Sequence, residues 1–375
     1  MDFSLPPAVD RWRDAATAFV AEVLTPAEGL LPPAEGGLPA EWRQRCAAAR
    51  RQAGLWGLTV PAAEGGPGLS WVEQAALQER LQRSPLGLWP QGLFTAGEPP
   101  TPLYAEGAAR TRFLEPCLQG RRQAHQVWAD GSQPGGGPRC TPTAGGARLQ
   151  GTLEAVPALL AEDLAVVIAP CGGRAWAFLC EPGLPGYRVV RRRPGMGAME
   201  LVDLSWEDCD LPPERLLPDV AAAAGLWRAH ERAVVLGAGA LGAATHCLEL
   251  GLGHLRRRQT FGRPLADRQA MQWMVADSAR ELHAARLLVY RVAAEADAGR
   301  AEEAMRLAGP AKAEAAATAC RVVDRVIQMH GGSGYSRDLP LERFWRDLRF
   351  YRLAGGGEEA LWAEAVDGLL ADLDH

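Results

Sequence analysis

Lysine is almost absent from this 375-residue sequence: Lys312 is the only one, and arginine supplies the rest of the 40 basic residues. With 45 acidic residues the net charge is −5. The longest basic runs are Arg191–Arg193 and Arg256–Arg258. Nucleic-acid binding needs a concentrated basic surface, so this charge pattern argues against nucleic acid as a partner.

Long hydrophobic runs are also missing. Although 47% of the residues are hydrophobic, no segment approaches the roughly 20 consecutive apolar residues that span a bilayer. The first residues, Met-Asp-Phe-Ser-Leu-Pro-Pro, lack the basic start and apolar stretch of a secretory signal. We therefore expect a globular, cytoplasmic protein with no membrane span. At roughly 150 residues per domain, the length favours two or three domains.

Motifs for metals and nucleotides are absent too. The eight cysteines are scattered without a C-x-x-C pair, and the seven histidines contain no H-E-x-x-H. We therefore expect neither a disulfide framework nor a zinc site. The sequence also lacks G-x-x-x-x-G-K-[ST] and a G-x-G-x-x-G after a strand. Support for a P-loop NTPase or a Rossmann dehydrogenase is thereby removed.

The spacing of hydrophobic residues changes twice along the chain, near residues 122 and 220. Before the first change, helical spacing predicts helices at Val9–Val23, Ala40–Ala53 and Trp71–Leu81. Between the changes, runs such as Leu164–Ile168 and Leu201–Trp206 are rich in β-branched and aromatic residues and are separated by Gly/Pro clusters. That texture is typical of strands and turns.

Three long helical stretches follow the second change, at Trp227–His254, Ala266–Ala298 and Ala301–Met329. Antiparallel packing of such helices makes a bundle. We predict an α+β multidomain protein. Its parts are a helical N-terminal domain (1–121), a central β domain (122–219) and a C-terminal helical bundle (220–375).

Several short motifs occur in a fixed order. In the C-terminal half they are Arg258–Leu265 (RQTFGRPL), Gln269, Lys312, Gln328–Tyr335 (QMHGGSGY), Pro340–Arg343 and Arg346–Asp347. In the N-terminal half they are Gly54–Pro61 (GLWGLTVP), Gly65–Gly66, Gly68–Ser70, Glu106–Gly107 and Phe113–Leu118. In order and spacing the series resembles the acyl-CoA dehydrogenase superfamily. The resemblance implies a helical domain, a β-barrel-like domain and a four-helix bundle, the order that the hydrophobic spacing indicates independently.

The resemblance implies a FAD cofactor and assigns residues to its ADP half. Arg258, Phe261, Gln328, Gly331 and Gly332 match the motifs with which family members hold that half across a subunit interface. Arginine offers a fork of donors to diphosphate oxygens, and glycine lets the backbone approach closely. The alternatives are a solvated helix-end arginine and an ordinary Gly-Gly turn. The interface implies a homo- or hetero-oligomer with a related subunit, and an electron-transfer flavoprotein is a candidate partner.

The residue expected to act as base is missing. In most family members a glutamate after the Arg-Asp pair takes the α-proton of the thioester. Counting from Arg346–Asp347 without a gap, that position is Gly355. The Gly355 N–H can still polarise a thioester carbonyl, but glycine cannot accept a proton. Glu358 and Glu359 are better interpreted as acids that open a final helix.

Some family members place the base on the helix before the R-x-x-F-G motif. Without a gap that position is Arg232, and Glu231 lies one residue away. One residue turns a helical side chain by about 100°, so Glu231 points elsewhere unless the helix is distorted. Glu231 is thus a candidate base, with a surface or salt-bridged carboxylate as the alternative.

The β domain departs from the family as well. The two segments that line the flavin in family members correspond to Trp128–Gln133 and Ala155–Pro157. Pro157 has neither an N–H nor a hydroxyl to offer a flavin. The isoalloxazine half of the site is therefore less complete in sequence than the ADP half.

Three functions remain open. The first is a FAD-dependent acyl-CoA dehydrogenase-like oxidoreductase that acts on an acyl thioester of CoA or a carrier protein. The second is a catalytically deficient subunit of a heteromeric acyl-CoA dehydrogenase, which lends its ADP contacts to a partner's FAD. The third is non-dehydrogenase flavin chemistry on the same scaffold, because a fold does not determine its reaction.

Overall fold

The computed structural model describes residues 5, 7–30, 40–88, 110–119, 121–129, 136–157, 164–197 and 200–371. Glu106, Gly107 and residues 130–133, to which motifs were assigned, lie outside these ranges. The chain divides into two compact units. A helical unit contains Met1–Trp56, Leu69–Phe94 and Arg228–His375, and a β unit contains Gly57–Gly68 and Thr95–Trp227. The domain boundaries 1–121, 122–219 and 220–375 remain a prediction.

Helices form in the N-terminal part where hydrophobic spacing predicts them. They are α1 (Ala8–Phe19), continued by a π-helical stretch (Val20–Leu24) into α2 (Thr25–Glu28), α3 (Ala40–Gln52), α4 (Trp71–Leu81) and, in the β unit, α5 (Glu115–Leu118). Helix α4 starts sharply because Ser70 and Glu73 form a capping box. Asp297 accepts hydrogen bonds from the backbone N–H groups of Trp71 (2.7 Å) and Val72 (3.0 Å). These bonds hold the start of α4 against the C-terminal helices.

The C-terminal part is a set of helices around one core. Their bounds are α6 (Ala221–His230), a π-helical stretch (Glu231–Ala238), α7 (Gly239–Arg257), α8 (Gln269–Asp297), α9 (Ala301–His330), α10 (Gly332–Tyr335), α11 (Leu341–Tyr351) and α12 (Glu358–Ala371). Small side chains allow close packing: a Cβ on Gly242 of α7 would overlap the Glu79 carbonyl of α4. Helix α4 therefore packs as a member of this bundle, and the predicted helical regions on both sides of the β domain are confirmed.

One helical stretch in the described ranges, Ala221–Arg257, is long and apolar enough to span a membrane by length and composition. In the folded chain, however, 78% of its most apolar window is buried. Ala233, Leu241 and Cys247 have no exposed surface and belong to the helical core. The apolar character of this helix is therefore explained by its place in the core of the helical unit.

The described strands of the β unit form two four-stranded sheets. The strands are β1 (Ala124–Trp128), β2 (Arg139–Thr143), β3 (Gly146–Pro157), β4 (Leu164–Cys171), β5 (Arg174–Cys180), β6 (Tyr187–Pro194), β7 (Glu200–Leu211) and β8 (Leu216–Leu217). The sheet orders are β1-β4-β5-β8 and β2-β3-β7-β6, and only β1 and β4 pair in parallel. The predicted β domain is confirmed, as two sheets that close no barrel within the residues described.

Strand β4 is buried on both faces, which accounts for its unbroken apolar sequence. Ala165 and Val167 contribute to a core that lies between the two sheets. Leu164 and Val166, on the opposite face, contribute to a second core that includes Phe113. Because side chains alternate along a strand, β4 packs against the other sheet with one face and against the segment around Phe113 with the opposite face.

One disulfide corrects the expectation that the cysteines form none. Cys140 of β2 and Cys171 at the end of β4 are bonded, with their Cα atoms 5.1 Å apart. The two residues are 31 positions apart in sequence and belong to different sheets. Their spacing showed no pattern because sheet packing, not local sequence, brings them together. The bond links the two sheets near one end.

Candidate functional site

The R-x-x-F-G motif forms a tight hairpin directly after α7. Arg258 leaves the helix in an extended conformation, and two short strands follow, β9 (Gln259–Thr260) and β10 (Arg263–Pro264). The turn between them has positive φ at both Phe261 (50°) and Gly262 (77°). Such a turn suits a hairpin, but phenylalanine rarely adopts it. Phe261 is also 98% exposed, so the chain holds an aromatic ring in a strained and solvated position.

The Gln-x-x-Gly-Gly segment ends α9. Gln328 is exposed on the last turn of the helix. Gly331 stops the helix with φ 59° and ψ −136°, a combination open essentially to glycine alone. No atom outside the local backbone lies within 4 Å of a Cβ built on Gly331 or Gly332. The segment therefore presents bare backbone to solvent, beside Tyr335, which is 89% exposed.

The ends of α7 and α9 lie side by side. The rings of His254 and His330 are 4.3 Å apart between centroids. One turn earlier, Gly251 packs against Met329. The five residues expected to hold the ADP half of FAD all lie at this end of the helical unit, and all are exposed. Together they offer a guanidinium fork, an aromatic face, an amide and glycine backbone, a set that fits an adenosine diphosphate.

The loop after α11 is built around glycine at the position expected for a base. Gly355 has φ 67° and Gly356 has φ 111°. A Cβ on Gly355 would lie 3.0 Å from Leu236 Cδ1 and 3.3 Å from Arg232 Cγ. The Gly355 position therefore supplies no carboxylate. Side chains of the π-helical stretch Glu231–Ala238 already fill the adjacent space.

Arg232, at the other family base position, is tied to this loop. Its Nε donates to the Gly355 carbonyl at 2.7 Å, and its two terminal nitrogens donate to Glu364 of α12 at 2.8 and 3.1 Å. The Arg232 side chain is only 7% exposed. Burial lowers its pKa from the ordinary value, while the Glu364 carboxylate opposes that effect. Arg232 thus connects the π-helical stretch to the Gly355 loop and to α12 through hydrogen bonds.

Lys312 supports the same loop from α9. Its Nζ donates to the Gly356 carbonyl at 2.7 Å, and the residue has no exposed surface. Burial and, to a lesser extent, the Arg232 charge lower the pKa of Lys312 to about 7 against the opposing effect of Glu231 and Glu358. Two cationic side chains therefore hold successive carbonyls of the loop. The sole lysine of the chain titrates near neutral pH.

Glu231 begins a distorted part of its helix. The stretch Glu231–Ala238 is π-helical, so it accommodates an additional residue relative to an α-helical ladder, as π-bulges at functional sites do. An undistorted helix, on which the ungapped spacing relied, is therefore not present. Glu231 is partly buried and close enough to Lys312 to influence its pKa. By contrast, Glu358 opens α12 and pairs with Arg352, as expected for a helix-opening acid.

A buried amide, not found from the sequence, accounts for one carbonyl in the π-helical stretch. Gln82 is fully buried, and its Nε2 donates to the Val235 carbonyl (2.9 Å) and to Gln78 (2.8 Å). The Tyr351 hydroxyl donates to Gln82 Oε1 at 2.6 Å. A side chain on Gly239 would overlap Gln82. The only sequence signal is that glycine, in a helix with no evident need for one.

His230, next to Glu231, is neutral and structural. Its Nε2 donates to Gln74 Oε1 at 2.6 Å, because Gln74 directs its own amide nitrogen to the Leu69 carbonyl at 2.8 Å. The Trp71 ring meets it edge-on with centroids 5.0 Å apart. Burial lowers the pKa of His230 to about 3. A histidine so weakly basic is a poor proton acceptor at neutral pH.

The segment of the β unit that the sequence aligns with a flavin-lining segment of family members is irregular. Ala155 has φ 57°, and its N–H donates to Asp203 Oδ1 at 2.9 Å. Arg193 forms an ion pair with the same carboxylate, and hydrogen bonding, mainly from Ala155, lowers the pKa of Asp203. Pro157 ends β3. Within the described part of this segment, no aromatic ring or hydroxyl occupies the position that family members use against the flavin. Among the described residues, no group of three or more His, Cys, Asp or Glu side chains is arranged to hold a metal ion.

Comparison with known proteins identifies the family. The family model described as "Acyl-CoA dehydrogenase, C-terminal domain" matches residues 225–370, and "Acyl-CoA dehydrogenase, N-terminal domain" matches residues 7–121. The chain is 30% identical over 358 residues to 3-sulfinopropanoyl-CoA desulfinase of Variovorax paradoxus, covering 85% of each protein. It is 28% identical over 401 residues to (R)-benzylsuccinyl-CoA dehydrogenase of Thauera aromatica, covering 99% of this chain and 98% of the relative.

Other relatives, at 34–36% identity, match over about half of this chain and 47–52% of their own length. Among solved structures, butyryl-CoA dehydrogenase from Megasphaera elsdenii has the same fold, with a TM-score of 0.83 and 23% identity over 99% of this chain and all of that one. The expected order of helical, β and helical regions is thereby confirmed. The motifs, the fold and the family models agree, and the chain belongs to the acyl-CoA dehydrogenase family.

Proposed function

We propose that the protein is a FAD-dependent oxidoreductase that acts on an acyl thioester of CoA or a carrier protein. The observation that carries this proposal is the hairpin with the strained, fully exposed Phe261, next to Arg258 and beside the glycine turn of α9. A strained exposed aromatic persists where binding rewards it. The names of the relatives, 3-sulfinopropanoyl-CoA desulfinase and (R)-benzylsuccinyl-CoA dehydrogenase, support a CoA thioester as substrate.

In this proposal each residue of the ADP site has a distinct task. Arg258 directs its guanidinium fork at the diphosphate, and Phe261 offers an apolar face. Gln328 supplies both a donor and an acceptor, and the backbone of Gly331 and Gly332 approaches the nucleotide without a Cβ in the way. When bound, the flavin supplies a hydride acceptor. Arg258→Ala should lower the flavin content of the purified protein, and an unchanged flavin-to-protein ratio would contradict this assignment.

Proton abstraction in this proposal falls to Glu231. Support comes from the π-helical stretch that starts at this residue and from its partly buried position near Lys312. The experiment is anaerobic bleaching of the bound flavin by a panel of acyl thioesters that includes 3-sulfinopropanoyl-CoA and benzylsuccinyl-CoA. Glu231→Gln should slow bleaching by roughly 10²- to 10⁴-fold while flavin stays bound. Glu358→Gln is the matched control, and equal bleaching in all three proteins would exclude Glu231 as the base.

A second function, a catalytically deficient subunit of a heteromeric acyl-CoA dehydrogenase, is favoured by the Gly355 loop. That loop has a glycine conformation, and Leu236 and Arg232 crowd the space beside it. The ADP residues, in contrast, are exposed and complete. In this case the chain binds little flavin alone and raises the flavin content and activity of a related partner subunit. If the two subunits co-purify with one bound flavin per pair, measured by flavin absorbance, this function is distinguished from the first.

The remaining elements of the proposal follow from the family. Substrate consumption without flavin bleaching would instead indicate non-dehydrogenase chemistry on the same scaffold.

We place the protein in the cytoplasm, as a homo- or hetero-oligomer that passes electrons to an electron-transfer flavoprotein. Sedimentation of the flavin-loaded protein tests the oligomer, and reduction of an added electron-transfer flavoprotein tests the electron partner.

A further inference from the structure

A cluster of arginine and histidine side chains lies at the end of α7 that carries the proposed ADP site. Arg256, Arg257 and Arg258 are successive and exposed, and none forms an ion pair with any other residue that the structure describes. One turn earlier, His254 contacts His330 of α9. Uncompensated positive charge concentrated at one place on a surface attracts an anion.

Along α7, His254 lies between the residues that contact α9 and Arg258, which is proposed to bind the diphosphate. Arg258 is the C-cap residue of α7, and its N–H donates to the His254 carbonyl at 2.8 Å, so the two residues lie one turn apart at the same end of the helix. Because Gly251 packs against Met329 and His254 against His330, α7 follows α9 to its end. One turn further along α7, the chain reaches Arg258.

The orientation of the neighbouring ring is fixed. His330 Nδ1 donates to the Val326 carbonyl at 2.9 Å, which leaves Nε2 as the hydrogen-bond acceptor of the ring. His330 is buried, whereas His254 is partly exposed. His254 is therefore the member of the pair that can exchange a proton with solvent and meet a ligand.

Electrostatics at this position opposes protonation while the site is without an anion. Burial lowers the pKa of His254, and His330, Arg258 and Arg257 lower it further. These are the charged and titratable groups that act on His254 from its own helix and from α9. The negative charges of a diphosphate neutralise the arginines, so a bound diphosphate removes the part of the pKa lowering that Arg258 and Arg257 cause.

We infer that His254 is a proton-linked member of the diphosphate site and takes up a proton when a nucleotide diphosphate binds beside Arg258. The inference rests on the proposed function and adds a residue to the five already assigned. Because linkage is reciprocal, proton uptake on binding also means that lower pH tightens binding. The pH dependence therefore belongs to His254 and not to the arginines, which stay charged.

ADP-ribose is a suitable probe, because both its phosphates are esterified and neither gains a proton between about pH 5 and 8. Calorimetric titration near pH 6.5 in two buffers of different ionisation enthalpy counts the protons taken up. We expect a substantial fraction of one proton for the wild type, and a dissociation constant about threefold to tenfold lower at about pH 5.5 than at about pH 8. His254→Gln should abolish the uptake and keep the affinity measured at the higher pH.

His283→Gln is the matched control, since His283 is an exposed histidine within α8, and it should keep the wild-type proton uptake. His254→Asn serves as a second variant, and far-UV circular dichroism verifies the fold of each. Uptake that persists without His254, or that is absent from the wild type, overturns the inference and leaves the proposed function standing. If ADP-ribose does not bind the wild type at all, both fail.

Discussion

Replacing Lys312 by methionine tests the electrostatics beneath the Gly355 loop. Lys312 is fully buried with a pKa of about 7, against about 10.4 in an unfolded chain. Near neutral pH the folded protein therefore keeps a charge that the unfolded chain accommodates more easily, at a cost of about 4 kcal/mol. Methionine keeps the aliphatic stem and removes that cost. It also removes the hydrogen bond to Gly356, worth about 1 kcal/mol.

The predicted pH dependence has a definite sign. Between about pH 7 and 10 the unfolded chain binds more protons at Lys312 than the folded chain does, so stability rises with pH in this window. From about pH 7 to 9 the wild type should gain about 2 kcal/mol relative to Lys312→Met. Below the window both states are protonated, and the difference between the two proteins becomes constant.

Urea unfolding of both proteins near pH 7 and pH 9, followed by far-UV circular dichroism, measures this difference. Because Lys312 is the only lysine, ¹³C-labelled lysine adds a direct measurement, a single ε-carbon signal whose titration reports the pKa. Glu231→Gln should lower that pKa further, since Glu231 raises it. Glu302→Gln, at an exposed site in the first turn of α9, should leave it unchanged. A lysine signal that titrates near pH 10, with a stability difference independent of pH, would refute the reasoning.

Three further substitutions have expected outcomes. Phe261→Gly should raise the free energy of unfolding by up to about 1 kcal/mol, because it relieves the positive φ, yet weaken ADP-ribose binding; weaker stability would contradict the strain. Gly355→Ala should lower the free energy of unfolding by about 1–3 kcal/mol more than Gly299→Ala does. Gly299 is the control because it also has positive φ but has open space where a Cβ would lie. Equal shifts in melting temperature for the two variants would show that crowding at Gly355 is unimportant. Tyr351→Phe should cost about 1–3 kcal/mol because it leaves the buried Gln82 oxygen without its hydroxyl donor; an unchanged denaturant midpoint would deny that role.

The end of the helical unit at which we propose an ADP site has a predictable backbone, because short stretches of sequence determine it. The two-residue turn of the hairpin needs a conformation that Gly262 readily adopts, and α9 needs a residue such as Gly331 to stop. The assignment of Gly355 to a base position rests on counting along one segment and stays a prediction. In each case the relevant residues are neighbours in the chain.

The surroundings of Gly355 were not predictable, because they come from segments far apart in sequence. Arg232 and Lys312 reach the loop from 123 and 44 residues away. The π-helical stretch has no signature in hydrophobic spacing, since all its residues after Glu231 are buried. Cys140 and Cys171 meet only when the two sheets pack. Long-range packing therefore decides what surrounds Gly355.

The division of the helical unit along the chain has a consequence for how the protein is made. Helix α4 belongs to that unit and packs against α7 and α8, which begin 158 and 188 residues after α4 ends. Synthesis proceeds at about 5–20 residues per second. During that interval Ala75, buried in the finished core, and its neighbours lack their partners in α7 and α8, although α1 is already present to pack against α4. A nascent chain that stops before Arg228 therefore exposes an apolar helix face for as long as it exists. Release of such truncated chains should lead to aggregation or capture by chaperones, whereas the full-length chain can bury α4 once α9 has emerged.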